Sequence, residues 1–344
     1  MLCRKENLIA RKYNISEFIR GCRTDMDIEL FNALQVRFIK LHFTVAFCGD
    51  SVLPRDKVSA IRGGIGEMLL RMNCVRDRQC ETCDFEKECT VQRILYSKFD
   101  SKPDFVTTDG GVGYVLECEN YQEQFKDGEK LNFYLILFGK TIVHFYQLYQ
   151  AISMLGELEG LGKYHAKYHV IGIKNMEGMS VSDGKTIDMD RYVVHMLYDY
   201  IIFRNMRCGS SKGRKDAILI FDTPLALKYQ NEFIKEFQME AILKSIRRRI
   251  YILNCFEGKD NDIFYQYEDS FVPKILNQEH HEVSVSRYSM RKNKKMILKG
   301  IRGTVLLTEI TEDVLMLLMI GELIHIGKYT SFGFGRFHLK FVDL

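Results

Sequence analysis

Residues 321–340 read G-E-L-I-H-I-G-K-Y-T-S-F-G-F-G-R-F-H-L-K, and the first nine of these positions have a near-copy earlier in the chain. Residues 156–164 read G-E-L-E-G-L-G-K-Y, an offset of 165, with Gly, Glu, Leu, Gly, Lys and Tyr coincident. Each copy closes an apolar helical segment and precedes an alternating, strand-like one. An offset of domain size points to a duplicated unit. The second copy continues into further glycines, Gly333 and Gly335, where the first has Tyr168 and Val170. Glycine permits positive φ and close approach of a ligand, and successive free N–H groups can cradle phosphate oxygens. Gly327, Lys328, Thr330, Ser331, Gly333, Gly335 and Arg336 are therefore candidate ligand-binding residues. The plainer alternative is a helix-to-strand turn that needs glycine. No G-K-[ST] opens a helix here, so this is not a nucleotide P-loop, and a strand follows, so it is not a dinucleotide fingerprint.

Working outward, each copy ends a segment of the order β-α-β-β-α-β. In the first, 36–47 (V-R-F-I-K-L-H-F-T-V-A-F) alternates, with Ile39, Leu41, Phe43, Val45 and Phe47 apolar and Lys40, His42 and Thr44 between them. That is a strand with one buried face. A helix is expected over 56–72, strands over 113–118 and 130–138, a helix over 141–158 and a strand over 168–173. Residues 204–216 are basic and polar and read as a linker. The order then repeats: strand 217–226, helix 233–253, strands 282–291 and 296–308, helix 311–325 and strand 336–342. The fold class expected is α+β, two tandem ferredoxin-like domains, one over 1–203 and one over 217–344.

Cys74, Cys80, Cys83 and Cys89 form C-x5-C-x2-C-x5-C in a charged, loop-like setting. Four thiolates at this spacing suit a closed structural zinc site inserted in the first domain. An iron–sulfur cluster and unligated thiols are the alternatives. With 344 residues, 46% of them apolar, the chain has material for two cores. Its net charge of +4 is too small to decide a partner. No apolar run reaches membrane-span length and the N-terminus lacks a signal-peptide pattern, so no membrane partner and a cytoplasmic location are expected.

Three stretches now carry a resemblance: the glycine loop 326–336, the segment S-R-Y-S-M-R-K-N-K-K-M-I-L-K-G-I-R-G-T-V at 286–305, and A-I-R-G-G-I-G-E-M-L at 60–69 followed by the cysteine cluster. Together they resemble the RAMP proteins of CRISPR systems, in particular the metal-containing branch of the endoribonuclease that cuts precursor CRISPR RNA within its repeats. The resemblance implies a prokaryotic RNA-processing enzyme without a catalytic metal. In that family the 2′-hydroxyl attacks the scissile phosphate and a 2′,3′-cyclic phosphate forms. The partners implied are repeat RNA or its processed product, with subunits of a CRISPR effector complex as a further partner. A non-catalytic RNA-binding subunit of such a complex is the rival reading.

Such chemistry needs in-line positioning, proton transfer and charge stabilisation. Many members carry a histidine in the first helix, and residues 55–72 here contain none. His42, on the first strand, and Lys57, at the helix start, are the catalytic candidates; His165 and His169 are second choices. Arg287, Arg291, Lys292, Lys294 and Lys295, interleaved with Tyr288, form a basic hairpin suited to phosphates and a stacked base. Arg247 to Arg249 would extend that patch.

Overall fold

The computed structural model describes residues 25–99, 103–106, 111–208, 213, 215–259, 264–265, 271–289 and 294–342. After α1 (Asp25–Ala33), the first domain runs β1 (Arg37–Phe47), α2 (Val58–Asn73), the short α3 (Thr90–Leu95), β2 (Tyr114–Glu117), β3 (Lys130–Phe138), α4 (Phe145–Met154) and β4 (Tyr168–Lys174). The sheet order is β2-β3-β1-β4, with β5 (Ser180–Ser182) outside β4 and His195–Met196 pairing with the start of β1. Every pairing is antiparallel, and β1 meets β3 from Phe38↔Phe138 to Ala46↔Lys130. This is the ferredoxin-like order. The expected alternation has its physical consequence: Ile39, Leu41, Phe43, Val45 and Phe47 are buried with Ile61, Ile65, Met68 and Leu69 of α2 and Leu148 and Ile152 of α4. The even-numbered residues of β1 point to the other face.

Helix α5 (Leu197–Cys208) leads into the second domain: β6 (Ala217–Leu225), α6 (Met239–Glu257), β7 (Lys274–Ser289), β8 (Lys294–Thr308), α7 (Glu312–Ile324) and β9 (His338–Phe341). Its sheet order, β7-β8-β6-β9, repeats that of the first. Thr311 caps α7, accepting the Val314 N–H at 3.4 Å, with Glu312 and Asp313 in the positive first turn. From Val314 to Ile324 all but Met316 are buried, so α7 forms the middle of the second core.

Several boundaries differ from the sequence expectation. Residues 204–208 are the end of α5 and not linker, because Arg204 anchors that turn by donating to Glu322 at 2.8 Å. Helix α6 begins at Met239 and not 233, because Glu232–Phe233 pair with Lys228–Tyr229. The helix expected over 141–158 is a 3-10 turn, α4 and a π turn in succession. The β7–β8 hairpin is longer than expected, paired from Lys274↔Thr308 to Ser289↔Lys294. Strand β6 meets β8 only over 301–307, so the far half of the ribbon runs beyond the sheet. There Val285 and Leu298 pack on Ala226 and Phe334, bringing the ribbon over the glycine loop.

The two domains share a core. Phe38, Val115, Ile136 and Phe138 of the first sheet are buried in the same cluster as α6 and α7. One end of the first sheet's open face is thereby sealed by the second domain.

Candidate nucleic-acid interface

The glycine loop 326–336 is a clasp before it is a cradle. Ile326 N–H donates to Gly335 O at 3.1 Å, Lys328 N–H to Ala226 O at 2.8 Å and Gly335 N–H to Pro224 O at 2.9 Å. Gly327 N–H donates to Ser245 Oγ at 3.1 Å and Arg336 N–H to Thr223 Oγ1 at 2.9 Å. Phe332 and Gly333 N–H groups close the loop's own 3-10 turn. These donors are committed within the domain, and Thr330 and Ser331 are buried. Gly335 is required because a Cβ at its φ of +70° would overlap the Ile326 carbonyl. The expected phosphate cradle of loop N–H groups and hydroxyls is thus largely consumed by the fold. What the loop presents outward is side chains: exposed Lys328, exposed Tyr329 and half-buried Phe332.

Phe332 is where three parts of the chain meet. The Arg62 guanidinium, from α2, and the Arg287 guanidinium, from β7, each lie 4.0 Å from the Phe332 ring centroid. Cation–π contacts of this kind contribute about 0.5–2 kcal/mol each. Both arginines have a buried Nε without a hydrogen-bond partner, and among the described residues neither meets a carboxylate. Burial and then the neighbouring Arg62 lower the Arg287 pKa. Two cations gathered without a counter-charge form an anion site by elementary electrostatics. Arg62 lies within the 60–69 stretch singled out from the sequence, but the search there was for histidine. Phe332 lies within the glycine loop but was not among its expected ligand-binding residues. The signal available was Arg62 itself, in the first helix where the family's histidine was sought.

Beneath the loop runs a chain of ionised groups. Glu117 of β2 holds Lys40 Nζ at 2.9 Å and His325 Nε2 at 3.1 Å, and all three are largely or wholly buried. Burial alone would raise the Glu117 carboxyl; Lys40, His325 and Arg336 outweigh it and hold it well below the usual carboxylate range. Burial pushes the His325 pKa down, against the pull of Glu117. Arg336 meets Glu119 at 2.9 Å and Asp222 at 3.5 Å. His338 lies 2.9 Å from Asp222 and 3.4 Å from Glu322. Arg336, expected as a ligand-facing cation, is therefore 4% exposed and a fastener between the domains.

The catalytic candidates do not reach the Phe332 site. His42 lies on the open face of the first sheet, whereas α2 covers the opposite face, so the sheet separates His42 from Arg62. Lys57 is 2% exposed and its ammonium donates to the carbonyls of Asn120 at 2.9 Å and Gln122 at 2.6 Å, with Arg55 O at 3.4 Å. It fastens the 120–122 segment to the start of α2. His165 Nδ1 faces its neighbour Glu159 O at 3.0 Å, and His169 is exposed on β4. On the ribbon, Arg287 is at the Phe332 site and Lys295 is exposed. Arg291 and Lys292 lie outside the described residues, as do the side chains of Tyr288 and Lys294. Arg247 and Arg249 do not extend a surface patch: both are buried in α6, Arg249 donating to Val112 O at 2.8 Å.

Cys74, Cys80, Cys83 and Cys89 are half-buried free thiols on the loop between α2 and α3. Cys74 Sγ accepts the Arg78 N–H at 3.1 Å, and Cys80–Thr82 form a 3-10 turn. Among the described residues no three His, Cys, Asp or Glu side chains converge as a metal-holding group, so the arrangement does not by itself form a tetrahedral set.

The architecture is thus two tandem ferredoxin-like domains, with the glycine loop of the second seated on the first helix of the first. Residues 219–337 match the family model of the CRISPR-associated endoribonuclease Cas6, and residues 34–192 match the AF_1859 N-terminal domain model. The likeness to that Cas6 family lies in the second domain. An uncharacterised protein of Archaeoglobus fulgidus is 23% identical over 296 residues, covering 84% of this chain and 93% of the relative. The fold is similar to a chain of the partial Cas6-RT-Cas1–Cas2 complex, with a TM-score of 0.54 and 12% identity over 89% of this chain and 46% of that one. A chain of the Cas6-RT-Cas1–Cas2 complex gives a TM-score of 0.54 and 12% identity over 89% of this chain and 29% of that one. The chain spans less than half of either, and the likeness is one of fold. Among the described residues no helix is long and apolar enough to cross a membrane.

Proposed function

We propose that this protein is a CRISPR precursor-RNA endoribonuclease that cuts repeat RNA by 2′-hydroxyl attack, leaving a 2′,3′-cyclic phosphate. The observation that carries the reading is the pair of carboxylate-free guanidinium groups, Arg62 and Arg287, each 4.0 Å from the ring centroid of the glycine-loop residue Phe332. A scissile phosphate placed between them relieves their mutual repulsion and gains two charge-assisted contacts. The charge that develops on its oxygens in the transition state strengthens those contacts, which is the condition for catalysis. Tyr329, exposed on the same loop and within the electrostatic reach of Arg287, supplies a hydroxyl for orienting the 2′-hydroxyl or passing its proton. Metal enters no step. Zinc on Cys74, Cys80, Cys83 and Cys89 remains a structural proposal that needs the loop to close further; metal content of the purified protein, one zinc per chain or none, decides it.

The test is cleavage of end-labelled repeat RNA in excess EDTA, with a matched strand carrying 2′-deoxy at the cut nucleotide. A discrete cyclic-phosphate product, absent from the deoxy strand and reduced about 100-fold or more by Arg62→Ala, is the expected result. Tight binding without any cut, in wild type, would replace the nuclease reading with that of an RNA-binding subunit, which the lack of histidine in α2 favours.

A further inference from the structure

At position 325 a side chain sits where the other copy of the turn has glycine. His325 has φ +56° and ψ +156°, and Gly160, at the repeat offset, has φ +80° and ψ +169°. The two turns share a backbone conformation almost confined to glycine. In the first copy a Cβ would overlap the His165 carbonyl, so glycine is compelled. In the second, where glycine would remove the strain, the chain holds a fully buried histidine. Such strain persists where the surroundings over-determine it, and it clusters at functional sites.

Both ring nitrogens of His325 face acceptors. Nδ1 is 3.2 Å from Phe334 O, and Nε2 is 3.1 Å from Glu117 Oε1. A neutral imidazole has one N–H and can donate to one of them; the imidazolium donates to both. The other charged groups facing the ring are Lys40 of β1 and Arg336 beyond the loop, while Tyr200 of α5 faces Glu117. Burial lowers the His325 pKa against the pull of Glu117, so the form with two contacts fills as pH falls. The Phe334 end of this bridge leads to the Phe332 site. Phe334 N–H donates to Tyr329 O at 3.3 Å, which closes the turn that contains Phe332. The Phe334 side chain packs with Val285 and Leu298 of the ribbon that carries Arg287.

We infer that His325 is a positioning residue: as an imidazolium bridging Glu117 and Phe334 O, it latches the glycine loop to the first domain and sets Phe332 against Arg62 and Arg287. The latch is buried and touches no substrate atom. It therefore acts on the rate constant, through the placement of the two guanidinium groups, and not on RNA affinity. Its effect on rate rests on the cleavage reading above; the latch itself does not.

The first measurement needs no variant. It is hydrogen–deuterium exchange of wild type over residues 326–335, relative to the β1–β3 ladder, between about pH 8 and about pH 5. Lysine and arginine titrate above this window, Glu117 is held ionised, and His338, raised to about 9, stays largely protonated. Protection of the loop should rise as pH falls. His325→Gly, which installs the first copy's residue, and the near-isosteric Glu117→Gln should each remove that pH dependence. In single-turnover cleavage of repeat RNA, each should lower the rate constant about 10- to 100-fold, with affinity for the 2′-deoxy strand unchanged. The double variant should be no slower than the slower single variant, because both substitutions break one contact. Additive losses in the double variant, or wild-type rate constants in folded variants, overturn the positioning role. Wild-type loop protection that ignores pH overturns the latch. A wild type that does not cut repeat RNA overturns the cleavage reading, and the exchange measurement then decides the latch on its own.

Discussion

The two copies of the G-E-L-x-x-x-G-K-Y motif have the same letters and different work. In the first, Glu157 is exposed and the turn closes on itself, with Leu161 and Ala166 exchanging backbone hydrogen bonds at 2.9 and 3.0 Å. In the second, Glu322 is 8% exposed and accepts from Arg204, Tyr200 and the Leu339 N–H. The sharpest difference is at the fifth position. Gly160 has φ +80°, and its counterpart His325 is held at φ +56°. With ψ at +156° this is a backbone region almost confined to glycine, and a side chain held there costs about 1–3 kcal/mol. Here it reaches across to Glu117 of the other domain. The first turn stays within its own domain; the second joins two domains and brings Phe332 against two arginines. Duplication supplied one turn, and what each copy touches decided its function.

The largest effect expected from this contrast is on the shared glutamate. Glu322→Ala leaves Arg204 buried without its carboxylate and should cost about 3–5 kcal/mol. Glu157→Ala, at the same motif position but in solvent, should stay within about 0.5 kcal/mol. Urea unfolding of the two variants measures both. Comparable losses would mean that the turns are energetically equivalent and that the burial contrast carries nothing.

A smaller contrast is expected at the seventh position, where both copies have glycine at positive φ. A Cβ on Gly327 would come 2.7 Å from the Ala226 carbonyl, which is backbone and cannot move aside. On Gly162 it would come 3.2 Å from Pro54 Cδ, a tight contact that a shift of a few tenths of an ångström relieves. Gly162→Ala should therefore lose the conformational cost, about 1 kcal/mol, and little more, and Gly327→Ala that cost plus a displacement of the β6 end. Because the β6 end anchors the loop that carries Phe332 through Ala226 O and Pro224 O, Gly327→Ala should also reduce RNA cleavage, and Gly162→Ala should not.

The contrast also marks what could be read from the letters. The repeat, the alternation in 36–47 and the glycine positions are local patterns, and local patterns dictate strands, helices and turns; hence both ferredoxin-like domains were legible. Glu117, by contrast, sits in an unremarkable Y-V-L-E, and nothing local says that it will meet His325 from 208 residues away. Lys57 looks like a surface lysine at a helix start until three carbonyls converge on it. His42 was rightly placed on the polar side of its strand. Which side of the sheet the helix and the glycine loop would occupy is a tertiary fact, and that fact separates His42 from Arg62 and Phe332. Arg62 and Arg287 are ordinary cations in sequence, and only their joint approach to Phe332 makes them a site.

The smallest effect expected is in pH dependence, and it too separates the copies. At the repeat offset, Ile173 of β4 stands where β9 has His338. Ile173 is fully buried and has no proton to exchange. Hydrogen bonds to Asp222 and Glu322 raise the His338 pKa from 6.5 to about 9. Folding raises this pKa, so the protonated form is the one the native state favours. Its contribution is complete below pH 6.5 and is lost as pH rises through about 9. The side chain is 40% exposed, so solvent screening trims the effect. The melting temperature of wild type should therefore fall between these two pH values more steeply than that of His338→Ile, which installs the first copy's residue. Parallel curves would show that His338 adds no pH-dependent stability. A wild-type curve that rises over this window would reverse the sign of its linkage.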